Sequence, residues 1–333
     1  MNKRDYLVDC LRGYACLLVV LGHVILGIRN ASIDAPLPNL ELWSEYVLWS
    51  FHVALFMFLS GYVYKITGQW HGKGSRIKFI LHKLLNLGIP YFFISSIYIL
   101  INSVISGTNH DSKISDILYL WKTPVAQYWF IYGLFFLFLF WVVLSTVLND
   151  IATLFALLAI IGILHITGLS LPFGGQAIAF LLVFGLGVCL PQMYLDKVNM
   201  ITKVLIILVH LVIISVFFIN QEISFYGLRE LKQVLGIAAS ISIISIFMCN
   251  NNIKSFLLFI AKYSFPIYLL HTIFTAGFRV VLKKCGITMY SVHLIIGLLA
   301  GIICPIIIAK ITNTNAFLDF FFYPSKSIKR IKK

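Results

Sequence analysis

About ten apolar runs, each long enough to cross a membrane, constrain this chain of 333 residues more than any other feature. A helix crosses the hydrocarbon core with about 20 predominantly apolar residues. Only helices and closed barrels satisfy their backbone in lipid, and continuous runs of this length favour helices. The predicted spans cover residues 9–29, 45–65, 84–105, 127–147, 151–169, 176–195, 200–219, 231–250, 262–282 and 289–311.

The composition agrees with a membrane protein, because 60% of the residues are hydrophobic and only 11% are charged. A soluble domain carries about 25% charged residues. The first apolar run follows MNKR, as in a signal peptide, but it contains Arg12 and His23 and lacks a small-residue cleavage site. We therefore expect an uncleaved first span and one all-α membrane domain over residues 1–333.

The basic residues predict the orientation of the spans. With the N-terminus in the cytoplasm, most of the 26 lysines and arginines fall on the inner side, and both termini are cytoplasmic. Residues 312–333 then form a basic cytoplasmic tail that anchors the last span. The ninth and tenth spans have the weakest charge support, because Arg279, Lys283 and Lys284 fall outside.

The net charge of +14 raises the possibility of a nucleic-acid partner. The basic residues lie in loops beside apolar runs, however, which is the pattern of membrane topology signals. The cysteines are scattered without CxxC spacing, so the sequence indicates neither a disulfide framework nor a zinc site. We expect contacts with membrane lipids, no nucleic-acid partner and no metal.

The segment LRGYACLLVVLGH places Arg12 and His23 near the two ends of the first span. They are eleven residues apart, so on a helix they share one face and are separated by about 16 Å. Asp9 precedes Arg12 by three residues and can pair with it. An ionisable residue inside a membrane indicates function. The alternative is that Arg12 extends to the cytoplasmic interface as a topology anchor.

Three histidines fall at similar depths of separate predicted spans. His23, His52 and His271 each lie within about 6 Å of the midplane of an ideal helix. Buried polar groups in lipid need partners, so these imidazoles are expected to face the interior of the bundle together. The alternative is that each simply bonds a neighbouring helix, as fits His165 and His210.

Five segments, in order, resemble motifs of membrane acyltransferase family 3, the integral-membrane O-acyltransferases that modify bacterial surface sugars. The first runs from Asp9 through Arg12 and Gly13 to His23. The others are FHVALFMFLSGYVY (51–64), IPYFF (89–93), QYWFIYGLFF (127–136) and FIAKYSFPIYLLHTIF (259–274). The resemblance extends from residue 9 to about residue 274, and ten spans with both ends inside fit it.

The resemblance implies that acetyl-CoA in the cytoplasm is the acyl donor and that a sugar hydroxyl of a lipid-linked glycan is the acceptor. O-antigen at a bacterial inner membrane is the favoured acceptor. Basic groups suit the anionic donor, and the implied donor-binding residues are Asp9, Arg12, Lys73, Arg76 and Lys83. The family often has a second basic residue before its Pro-Tyr where this chain has Asn86, and whether Lys73 and Arg76 substitute stays open.

The resemblance also implies catalytic roles. His23 is the expected general base for the sugar hydroxyl, since an imidazole titrates near neutral pH. His52 and His271 are expected to orient it or to help bind the sugar. Ser60 either carries the acyl group covalently or, as we favour, packs closely with Gly61.

Trp129 and Tyr268 are the expected sugar-binding aromatic residues. Tyr128, next to Trp129, is a further candidate to stack on a sugar ring. The alternative for Trp129 and Tyr128 is membership of the interfacial aromatic belt. At the level of the whole protein, one alternative is a histidine-lined transporter of a small anion or sugar, although we see no internal repeat of the kind common in transporters. The other is an acyltransferase that acts on capsule or peptidoglycan.

Overall fold

The computed structural model of the protein describes residues 5–67, 73–104, 112–169, 173–175, 179–190, 198–220 and 227–331, with the side chains of residues 73, 74 and 165 also outside the description. These residues form helices and the connections between them, and they include no β-strand. The predicted all-α fold is confirmed.

Eight helices in the described part of the chain are long and apolar enough to cross a membrane, which confirms a multi-pass membrane protein. Two of the shorter helices, α3 and α4, form one of these eight through a π-helical turn at Leu84–Gly88. In chain order the helices are α1 (Tyr6–Asn30), α2 (Pro38–Thr67), α3 (Lys73–Lys83), α4 (Ile89–Val104), α5 (Trp129–Leu144), α6 (Asp150–Thr167), α7 (Leu181–Cys189), α8 (Met200–Ile219), α9 (Leu228–Phe247), α10 (Asn251–Lys284), α11 (Tyr290–Thr312), α12 (Ala316–Phe320) and α13 (Pro324–Ile331).

Each of the predicted spans coincides with a helix, although two of these helices are shorter than a full span. Span 151–169 corresponds to α6, and span 176–195 contains α7, which has nine residues. The parts of the latter span at 176–178 and 191–195 lie outside the described residues.

Several helices begin earlier than the apolar pattern indicates. Pro38 starts α2 seven residues before the predicted span, at a position where proline is favoured in a helix. The side chain of Asn250 caps α10, which starts eleven residues before its predicted span. Hydropathy detects the part of a helix that contacts lipid. Polar turns at either end extend the helix, but they lack the apolar pattern on which the prediction depends.

The parallel helices α1 and α10 pack closely along most of their length. A Cβ atom at Gly13 would overlap the carbonyl oxygen of Leu257, so the two backbones approach each other directly there. Farther along, the Cys16 thiol lies 3.8 Å from the carbonyl oxygen of Ser264. Small residues allow such approaches in membrane bundles, and this contact sets the register of the two helices.

We call the end of the bundle at which α1 begins, near Arg12, the proximal end, and the end near Asn30 the distal end. The helices α1 and α10 both run from proximal to distal. The ion pair between Arg29 and Glu45 joins the distal end of α1 to the beginning of α2, which therefore runs back towards the proximal end.

The expected basic tail is folded against the proximal end of the bundle. Phe321, between α12 and α13, stacks on Phe93 with ring centroids 3.9 Å apart. The Asn86 side chain donates a 2.7 Å hydrogen bond to the Ser325 hydroxyl at the start of α13. The tail is therefore a packed part of the domain through residue 331, beyond its proposed role as an anchor.

The close crossing of α2 and α7 gives a stability prediction. Gly61 lies on the carbonyl oxygen of Phe184, and a Cβ atom added there would overlap that oxygen. We expect Gly61→Ala to force the helices apart and to cost about 1–3 kcal/mol, seen as a lower thermal unfolding midpoint in detergent. Gly162→Ala is the matched control, because nothing lies within 4 Å of the added atom. Equal destabilisation of both variants would contradict this interpretation.

Candidate active site

A cavity of about 270 Å³ lies between α1, α2, α4, α10 and the start of α5. Asn30, which lines it, is exposed, so the cavity reaches the distal surface. Most of its wall is apolar with a few polar groups, as is typical of small-molecule sites. The lining residues used below are His23, Gly27, Trp49, Gln127, Trp129, Tyr268 and Arg279.

The three histidines expected at one depth lie together beside this cavity. The rings of His23 and His271 meet edge to face with centroids 4.9 Å apart. Trp49 lies 5.3 Å from His23 and 4.9 Å from His52, so the indole links the two imidazoles. Helices α1, α2 and α10 thus each contribute one imidazole to a single aromatic cluster.

Each of these imidazoles is held by its own helix. The Nδ1 atom lies at hydrogen-bond distance from the carbonyl oxygen one turn earlier. The pairs are His23 with Val19 (2.9 Å), His52 with Leu48 (2.6 Å) and His271 with Ile267 (2.9 Å). Because a carbonyl oxygen only accepts, Nδ1 must carry the proton and Nε2 of the neutral ring keeps its lone pair.

His23 differs from the other two in its access to the cavity. His52 and His271 are fully buried, and the Nε2 atom of each lacks a hydrogen-bond partner among the residues that the structure describes. His23 is half-buried and is the one imidazole of the three that lines the cavity. Its Nε2 is therefore the basic atom available to a molecule bound there.

The two expected sugar-binding aromatic residues also line this cavity. Trp129 stacks on Phe180 with centroids 5.6 Å apart. The Tyr268 hydroxyl donates a 2.5 Å hydrogen bond to the Gln127 carbonyl oxygen, and the Gln127 amide donates to Thr272. These bonds fix the start of α5 on α10 and leave aromatic faces at the cavity wall.

Arg12 lies at the proximal end, outside the cavity lining. It pairs with Asp9 at 2.7 Å, as the spacing predicted, while its Nε atom is buried without a partner among the described residues. Tyr323 of the tail lies nearby. Burial and the Asp319 carboxylate raise the pKa of Tyr323 to about 12, and the positive charge of Arg12 acts in the opposite direction. The charge of Arg12 therefore acts on the tail at Tyr323.

Among the described residues, no contact joins Arg12 to Arg76 or Lys83, two of the other expected donor-binding residues. Arg76 donates a 2.9 Å hydrogen bond to the carbonyl oxygen of Ser145, at the end of α5. The Lys83 ammonium lies over the Phe138 ring, 4.1 Å from its centroid. The side chain of Lys73 lies outside the described residues. Both visible cations thus have structural partners.

Ser60 is not part of the cavity lining. Its hydroxyl donates a 2.8 Å hydrogen bond to the carbonyl oxygen of Phe56, one turn earlier on α2. Its neighbour Gly61 makes the close contact with α7. This geometry favours the packing role of the Ser-Gly pair.

Sequence reasoning missed three residues of this site. Trp49 lies one turn before His52, and this spacing could have indicated a shared face. Gln127 opens the QYWF segment but was not singled out. Arg279 was interpreted as a topology signal, although a charge inside an apolar helix is itself a functional signal.

Comparison with known families identifies the class of protein to which this bundle belongs. The family model described as an acyltransferase domain, that of acyltransferase family 3, matches residues 5–310. The chain therefore belongs to this family and is a membrane acyltransferase. No curated protein and no solved structure matches the chain in the corresponding comparisons.

The placement of Ser60 predicts that its hydroxyl is dispensable. We expect Ser60→Ala to keep the rate of acyl transfer within about fivefold, because a neutral hydrogen bond of this kind contributes only about 1 kcal/mol. The measurement is product formation at equal protein level in membranes. A loss of more than about 100-fold would instead support a covalent acyl-serine.

Proposed function

We propose that the protein transfers an acetyl group from cytoplasmic acetyl-CoA to a sugar hydroxyl of a lipid-linked or nascent surface polysaccharide. O-antigen at a bacterial inner membrane is the acceptor we favour. The observation that carries the proposal is His23, whose ring is anchored through Nδ1 and whose Nε2 is available to the cavity. Family membership favours acyl transfer over the transport alternative.

His23 acts as the general base in this proposal. Its Nε2 takes the proton of the sugar hydroxyl as the sugar oxygen attacks the thioester carbonyl. A C–O bond forms, the C–S bond breaks, and the imidazolium returns the proton to the coenzyme thiolate. His271 and Trp49, which contact the His23 ring, position it. His52 contacts the Trp49 ring edge to face and helps to hold it in position.

Arg12 receives the anionic end of the donor. Its Nε lacks a partner, and guanidinium groups suit phosphate oxygens. Eleven residues of helix separate Arg12 from His23 by about 16 Å, similar to the reach of an extended pantetheine arm. The proximal end then faces the cytoplasm, as the positive-inside pattern predicts. Lys73, Arg76 and Lys83 add positive charge to the same end.

The sugar binds from the distal side. Trp129 and Tyr268 offer apolar ring faces in the cavity wall, which can stack on a pyranose ring. In this proposal a lipid carrier brings the glycan acceptor to the membrane surface, where the cavity opens.

Replacement of His23 tests the proposed reaction. We expect His23→Ala to lower acetyl transfer by about 10²–10⁴-fold, the usual contribution of a general base. The measurement is O-acetylation of surface glycans by NMR at equal membrane levels, and the shifted sugar proton distinguishes O-antigen from capsule or peptidoglycan. His210→Ala is the control, because His210 is buried against Phe51 away from the cavity lining. Normal acetylation by the His23 variant would refute its role.

Replacement of Arg12 tests the donor end. We expect Arg12→Ala to raise the KM for acetyl-CoA about 10-fold or more, since a charged hydrogen bond is lost, with a smaller change in kcat. Arg12→Lys should recover part of the affinity. Lys310→Ala removes an exposed cation near the proximal end of α11 and serves as the control. An unchanged KM for the Arg12 variant would count against this assignment.

A further inference from the structure

Arg279 is a buried cation in the wall of the candidate active site. It lies on α10, is 7% exposed and lines the cavity together with His23. Within the described ranges, no carboxylate lies at ion-pair distance from it, and Glu45, at the same end, pairs with Arg29. The proposed reaction makes no use of this charge.

A charge in this position needs a compensating group. Burial of a cation without a counter-ion costs several kcal/mol. Arginines inside membrane bundles therefore pair, or they line a pathway or a ligand site. Because no acidic side chain of the described ranges pairs with Arg279 and its guanidinium borders a cavity, an anionic ligand is the natural partner. Guanidinium groups bind carboxylate and phosphate oxygens in a two-pronged geometry.

The position of the guanidinium defines which part of a ligand it meets. A Cβ atom at Gly27 would overlap Nη1 of Arg279, so the guanidinium lies directly against the α1 backbone. Gly27 is one turn beyond His23, a rise of about 6 Å. This distance is about the width of one pyranose ring.

We propose that Arg279 binds a carboxylate or phosphate group of the acceptor, about one sugar ring from the hydroxyl that His23 deprotonates. This inference rests on the proposed function and names its substrate class: an anionic sugar, or a sugar next to a carrier phosphate. The donor is a poorer match, because its phosphates are assigned to Arg12 at the opposite end of α1. Tyr98 and Thr275, which line the same cavity as Arg279, are neutral and leave its charge uncompensated.

Matched acceptors test this assignment with the full chain in lipid nanodiscs. The probes are p-nitrophenyl β-glucoside, the corresponding glucuronide and the glucoside 6-phosphate, with acetyl-CoA as donor. We expect wild type to prefer one anionic probe over the neutral one by about 10- to 100-fold in kcat/KM, as for other charged hydrogen bonds. The preferred probe distinguishes carboxylate from phosphate. Arg279→Gln should abolish the preference.

Two further variants keep the test interpretable. Arg29→Gln removes a cation from the same end that is paired with Glu45, so the preference should persist. Gly27→Ala keeps the charge of Arg279 but displaces its guanidinium, so the preference should fall even if Arg279→Gln does not fold. Equal losses on all three acceptors in the Arg279 and Gly27 variants would overturn the proposal, as would a wild type without any preference for an anion.

Binding without donor separates this inference from the proposed reaction. We expect the preferred anionic probe to raise the thermal unfolding midpoint of wild type and of Arg29→Gln, but not that of Arg279→Gln. If wild type acetylates none of the probes and still shows this difference, the acetyl-transfer proposal fails while the anion site stands. If acetylation occurs without any such difference, the anion site fails alone.

Discussion

The direct contact between the backbones of α1 and α10 determines the geometry of the site. Gly13 lies against the Leu257 carbonyl, and this approach sets how the two parallel helices align. Farther along the pair, the alignment brings His23 against His271 and Gly27 against Arg279. A larger residue at Gly13 would separate the helices at a point about 15 Å from His23 along α1. The contact at Gly13, although distant from the cavity, therefore controls the position of the wall that carries His23 and Arg279.

The histidine cluster solves a problem that the membrane imposes on any base. A polar ring in lipid must satisfy its hydrogen-bonding atoms, yet a base needs one free lone pair. Bonding Nδ1 to the carbonyl of the preceding turn meets both requirements within one helix, as His23 does with Val19. The same bond in His52 and His271 leaves buried Nε2 atoms that have no partner within the described part of the chain. Each unbonded Nε2 atom costs free energy. The ring contacts of His271 with His23 and of His52 with Trp49 hold both imidazoles in place despite that cost.

The sequence predicts those features that depend on one helix or on lipid contact. The length of the apolar runs predicted the helices, and the three-residue spacing predicted the ion pair of Arg12 with Asp9. The similar depth of three histidines in their spans predicted that the imidazoles lie together. Features that depend on contacts between distant segments were not predictable. Charge alone grouped Arg76 with the donor loop, but its partner is the Ser145 carbonyl at the end of α5. The topology count assigned the charge of Arg279 to the outer side of the membrane as an orientation signal, and it could not show that packing buries this residue.

The number of residues between Arg12 and His23 is itself a structural constraint under the proposed function. A helix is stiff, so the two ends of the donor path are separated by a fixed rise and a fixed rotation. One inserted residue would add only about 1.5 Å but would turn the imidazole by about 100°. That rotation would remove His23 from His271 and from the cavity, although the length of the path would hardly change. Orientation therefore limits this spacing more strictly than distance does.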